Sequence, residues 1–144
     1  MSEVQPNDFK ISTIQLKKFS FEQTRKLEKD KKELFIKRQI GAIAKKKQVE
    51  ERKKIEYVIQ VEVNIDVMQS KNKNKVFNVN SLIIGAIEVE IGFDETYLNN
   101  MVAIIYSYLR PIVAQMTVMA KLPPLDLPPA NFDNFKVKII PEES

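Results

Sequence analysis

At 144 residues, 44% apolar and 29% charged, the chain has the make-up of one folded domain with a modest core. It contains no Cys, His or Trp, which excludes disulfides and thiolate chemistry and removes the commonest general acid–base group and metal ligand. The three glycines, Gly41, Gly85 and Gly92, stand too far apart to cradle a phosphate. No enzyme activity, nucleotide, metal or other cofactor is expected.

The net charge of +4 is unevenly placed. Between Lys17 and Lys54 there are 15 Lys/Arg against 6 Asp/Glu, a balance of +9, so the rest of the chain carries −5. A basic region of this kind can meet nucleic acid, an acidic partner or an anionic surface, or simply be solvated. No Phe or Tyr is interleaved with the Lys45–Lys46–Lys47 and Arg52–Lys53–Lys54 runs, so base stacking has little to work with and nucleic acid is a poor fit. The first residues, MSEVQPND, are polar and read as a flexible N-terminus (1–8) without the features of a signal peptide. No uninterrupted apolar run approaches the ~18 residues of a membrane span. The expected location is the cytoplasm, without membrane insertion.

Along the chain, 9–21 reads as a first strand with Ile11, Phe19 and Phe21 on one side. Residues 24–54 are open to two readings. Leu34, Ile36, Ile40, Ala42 and Ala44 alternate as a strand would, yet the richness in Lys, Glu, Gln and Ala suits a basic amphipathic helix equally. The next stretch is unambiguous. Ile55, Tyr57, Ile59, Val61, Val63, Ile65 and Val67 all fall at odd positions with polar residues mostly between them, the period of a strand with one wet face.

A polar connection, 68–75, then leads into a second long strand, 75–92. There Phe77, Val79, Ile83, Ile87, Val89 and Ile91 hold the odd face, and Leu82, Ile84 and Ala86 add apolar character to the other. Gly85 within it predicts a bulge or a close backbone approach. Asp94 is suited to cap a helix over 95–106, and Pro111 fits the first turn of a second helix to about Lys121. Four prolines within 122–129 enforce an extended loop over 122–132 that carries Leu122, Leu125 and Leu127. The tail, 133–144, opens weakly strand-like.

Residues 104–132, IIYSYLRPIVAQMTVMAKLPPLDLPPANF, resemble the C-terminal signature of the SecB family of export chaperones. An aromatic and an Arg stand near the helix start (Tyr108, Arg110), followed by Leu122–Pro123, Leu125-x-Leu127, Pro129 and Asn131–Phe132. Residues 14–23, ending FSFEQ, are similar to the family's first strand. The resemblance implies a single α+β domain across 1–144: a four-stranded antiparallel sheet with helices on one face (94–121), assembled as a dimer of dimers. It also tips 33–45 toward strand.

The chain ends about a dozen residues after Phe132, where family members usually continue into a longer helix, so a truncated C-terminal helix is expected. By resemblance the export ATPase SecA is a partner, through the acidic position held here by Glu22; Lys18 stands where an Asp is typical.

The function so implied is binding of unfolded polypeptides, keeping preproteins translocation-competent. The alternatives are a SecB-like chaperone dedicated to one client such as an antitoxin, or a basic nucleic-acid-binding module. The groove residues implied are Leu122, Leu125, Leu127 and Phe132, joined by the aromatics Phe35, Tyr57 and Tyr97, all of which serve equally well as plain core or cover. Burying one large apolar client side chain yields about 1.5–3 kcal/mol. Two or three per groove give roughly micromolar binding, raised by avidity across several grooves.

Overall fold

The computed structural model describes residues 9–24, 34–49, 51, 53–69, 74–122 and 124–141. The expected flexible segment 1–8 lies outside them. Four long strands, β1 (Phe9–Gln23), β2 (Leu34–Val49), β3 (Lys54–Gln69) and β4 (Asn74–Glu90), pair antiparallel in the spatial order β1-β4-β3-β2. The ambiguous segment is therefore a strand over 34–49. A fifth, short strand, β5 (Lys138–Pro141), adds parallel to β2 against Ile43–Lys46. The sheet is thus five-stranded and mixed, not four-stranded and all-antiparallel. The difference arises because the tail returns to the β2 edge from the same direction as that strand.

The period-2 pattern sets the two faces. On the inner face the odd residues of β3 from Tyr57 to Val67 are fully buried, as are Val79, Ile83 and Ile87 of β4. Register puts the even residues of β2 on this same face: Ile36 lies opposite Val67, Arg38 opposite Ile65 and Ala44 opposite Ile59. β1 keeps its apolar residues inward by a different device. Register shifts between Ile11 and Thr13 and between Leu16 and Lys18 insert one extra residue each. These bulges bring Ile11, Ile14, Leu16, Phe19 and Phe21 to one face although their positions switch between odd and even.

One helix, α1 (Leu98–Met119), covers the inner face over β3 and β4, entered through a short 3-10 turn at Glu95–Tyr97. Asp94 caps that turn: its carboxylate accepts from the Thr96 N–H at 3.0 Å and from the Thr96 hydroxyl at 2.8 Å. Both bonds hold its pKa below the ordinary value. The buried helix residues Leu98, Met101, Val102, Ile105, Tyr106, Leu109, Val113 and Thr117 recur at three- and four-residue spacing, forming one stripe. Gly85 is where helix and sheet approach most tightly. A Cβ there would lie 2.7 Å from Ile105 Cδ1, so the absence of a side chain sets how low the helix sits.

Two expectations about the helical region are corrected. Pro111 lies inside α1 and does not start a second helix. Proline removes one i→i−4 bond, here to the Ser107 carbonyl. Pro111 and Ser107 are both exposed, so the loss falls on the flank open to water while the buried stripe continues. Second, the 25-residue helical stretch Glu95–Met119 does contain an 18-residue window with the mean hydropathy, 1.3, of a membrane-spanning helix. Scattered polar residues hid this from a search for uninterrupted apolar runs. Its buried stripe belongs to the core of this domain.

Candidate functional site

After α1 the chain turns back as a strap, residues 124–132, running antiparallel to the helix above β2. Three polar anchors fix its path. The Leu125 N–H donates to Thr117 Oγ1 (3.0 Å), whose hydroxyl donates in turn to the Ala114 carbonyl (2.8 Å). Arg110 Nε donates to the Leu127 carbonyl (2.7 Å), with its guanidinium 3.6 Å from the Asp126 carboxylate. Arg38, reaching up from the inner face of β2, donates through Nη1 to the Pro128 carbonyl and to the Tyr106 hydroxyl, both at 2.7 Å. The Arg38 guanidinium also lies 5.8 Å from the Tyr106 ring centroid. Hydrogen bonds from charged donors are about twice as strong as neutral ones, so the two arginines are the main fixings.

Beneath these anchors Leu125, Leu127 and Phe132 are 5%, 0% and 6% exposed. Phe132 stacks edge-on between Tyr106 (5.7 Å) and Phe135 (5.3 Å). In this conformation the three side chains are cover over the sheet. Leu122 is half-buried where the strap begins.

Tyr57 is fully buried near the other end of α1. Its hydroxyl donates to Glu95 Oε2 at 2.7 Å, and Lys46 Nζ lies 3.4 Å from the same oxygen. Burial, the hydrogen bond to Glu95 and the Glu95 charge all push the phenol pKa above its ordinary value. Tyr97, 40% exposed, packs against Phe93 at 6.4 Å beside this network.

The seven expected groove residues do not converge: Leu122, Leu125, Leu127 and Phe132 belong to the strap, Tyr57 and Tyr97 lie near the start of α1, and Phe35 joins neither group. It lies opposite Met68 in register and so points to the outer face, away from the strap; its odd position among the even apolar residues of β2 carried that information. Arg38 was missed as a site residue. It occupies an even, inward position between Ile36 and Ile40, a charge within an apolar alternation, and that was the available signal. Glu22 is exposed on the outer face of β1 opposite Asn78, with Lys18 on the same face opposite Leu82.

The accessible part of the inner face lies beside the strap. β5 engages β2 from Ile43 to Lys46, so among the described residues no strand lies beyond 34–42. Leu34, Ile36 and Ile40 are half-buried there and pack against the core. An open strand edge with an apolar face and a proline-stiffened wall offers an extended chain both backbone hydrogen bonds and apolar contacts.

The family model described as preprotein translocase subunit SecB matches residues 2–138. The chain belongs to the SecB family. No curated protein is similar enough in sequence to count as a relative. Among solved structures, this SecB-family fold is similar to a Mycobacterium tuberculosis SecB-like chaperone in complex with a ChAD peptide from the HigA1 antitoxin. That match has a TM-score of 0.70 and 14% identity, and covers 85% of this chain and 91% of that one. A Streptococcus agalactiae protein of unknown function matches with a TM-score of 0.55 and 12% identity, covering 84% of this chain and 97% of that one. Membership of the SecB family supports a chaperone role and a non-enzymatic one.

Proposed function

We propose that this protein is a cytoplasmic holding chaperone whose groove receives extended segments of non-native polypeptides along the open half of β2. The whole chain is read as one SecB-like domain, keeping preproteins competent for translocation. The observation that carries this is the pairing of a β2 edge at 34–42, along which no other strand lies among the described residues, with inward apolar side chains and a strap whose prolines leave little entropy to lose. Leu122 and Tyr97 are accessible at the strap's start and near the helix start. Leu125, Leu127 and Phe132 would join the groove only if the strap lifted.

Self-association supplies the avidity. Among the described residues nothing pairs with the outer edge of the 15-residue β1, which also presents a part-exposed apolar face, and exposed Tyr108 and Met119 give α1 an outward apolar surface. A dimer joined at β1, paired again through the helices, uses both surfaces. SecA docking through Glu22 has to contend with exposed Lys17 and Lys18 beside it.

The test is suppression of aggregation with several unrelated unfolded proteins, comparing wild type with an Ile36→Asp/Ile40→Asp variant. Charges in an apolar groove lose solvation, so roughly tenfold more of the variant should be needed for equal protection. Equal protection by a folded double variant would move the groove elsewhere. A second reading, a chaperone dedicated to one client, is favoured by the match to a SecB-like chaperone carrying an antitoxin peptide. Protection confined to one client among those tried would select it.

A further inference from the structure

A strand added along the open half of β2 points alternate side chains to opposite faces of the sheet. Those facing inward meet Ile36, Ile40 and the strap. Those facing outward meet a different surface. Lys37 lies on the outer face of the open stretch, opposite Asp66, and Lys138 is on that face at its end, in register with Ile43. Lys136 joins it at the rim of a half-open hollow of about 350 Å³ above Gly41. All three lysines are exposed, and none forms an ion pair with a described residue.

The acidic groups nearby do not neutralise them all. The Asp66 carboxylate already accepts from Asn78 Nδ2 at 2.8 Å and lies 3.6 Å from Lys75 Nζ. Glu62, opposite Gly41, lines the hollow together with Ile43, Leu82 and Phe135. It disfavours an acid directly above the hollow and leaves that position to an apolar side chain.

Resting on the groove reading above, we propose that the β2 edge selects extended polypeptide segments with apolar residues on the inward side and acidic residues flanking the hollow on the outward side. The acids would face Lys37 at one end and Lys136 and Lys138 at the other. The two faces of one strand are thus read by two kinds of contact, burial within and charge complementarity without.

The experiment measures fluorescence anisotropy of labelled peptides of about nine residues, enough to follow the open edge at ~3.3 Å per residue. The peptides carry Leu at the inward positions and at the outward position over the hollow, and Glu, Gln or Lys at the outward positions flanking it. For wild type the Glu peptide should bind tightest, roughly tenfold over the Lys peptide at about 50 mM salt. The gap should narrow by about 300 mM salt as screening grows. A Lys37→Glu/Lys136→Glu/Lys138→Glu variant, changed only at exposed positions, should invert the order.

Equal affinities for the three peptides would overturn the inference and leave the groove standing. If no peptide bound wild type better than the Ile36→Asp/Ile40→Asp variant, groove and inference would both fall. An oligothymidylate that displaced the Glu peptide and depended on the same three lysines would reassign the surface to nucleic acid, and the inference would be lost.

Discussion

Helix α1 divides the inner face into two flanks that the chain treats differently. Over β2 the chain returns as a strap, seats Leu125, Leu127 and Phe132, and ties itself down through Arg38, Arg110 and Thr117. Over β1 no segment among the described residues returns. Ile14, Phe19 and Phe21 stay half-buried and Leu16 is 42% exposed. One flank is closed by the chain's own covalent continuity, which makes its apolar contacts part of folding. The other leaves comparable side chains part-exposed, where the proposed assembly would draw on them.

Substitutions on the two flanks should therefore fail in different ways. The largest effect is expected from Leu127→Asp, which puts a charge at a fully buried position. A loss of about 3–5 kcal/mol, most or all of a domain's stability, should appear as a missing thermal transition. A variant that melted like wild type would mean that the strap is readily displaced. Arg38→Ala comes next. It removes a charged donor shared by Pro128 and Tyr106, which should cost about 1–3 kcal/mol and quicken hydrogen exchange of the Leu125 amide as the strap loosens. Unchanged exchange would leave Arg110 and Thr117 as sufficient anchors.

The smallest effect on folding belongs to Leu16→Glu on the other flank. Its cost to the isolated domain should stay within about 0.5 kcal/mol, while light scattering should fall from an oligomer toward the 16.7 kDa of one chain. A wild-type mass already equal to one chain would remove the distinction between the flanks.

The parts legible in the sequence were those where local pattern and tertiary packing agree. The odd residues of β3 and β4 were assigned to one buried face because no irregularity interrupts them between Ile55 and Val67, or between Phe77 and Val89. β1 was read as a strand, but its bulges break the parity, so Ile14 and Leu16 dropped out of the expected face. β5 is four residues long and exists by virtue of a partner almost a hundred positions earlier, a non-local fact that no window contains. Pro111 misled because the rule against internal proline is energetic, and the cost shrinks where the orphaned carbonyl faces water. At the groove, Leu125 and Leu127 were found as apolar residues on a stiff loop. Whether they point out or in depended on Arg38 and Arg110, whose reach is invisible until the strap lies over β2.

The bulges in β1 have a consequence for how far assembly can run. A straight free edge of 15 residues would be a template onto which copies could add without limit. Extra residues at Ser12 and Lys17 interrupt the row of backbone donors and acceptors and increase the local twist. A neighbouring strand can therefore follow the edge only in short, matched lengths. Pairing of two identical edges about a twofold axis satisfies that constraint and then has no free register left to extend. The irregularity that hid Ile14 and Leu16 from the expected face of β1 is thus suited to favour a closed particle over a fibre.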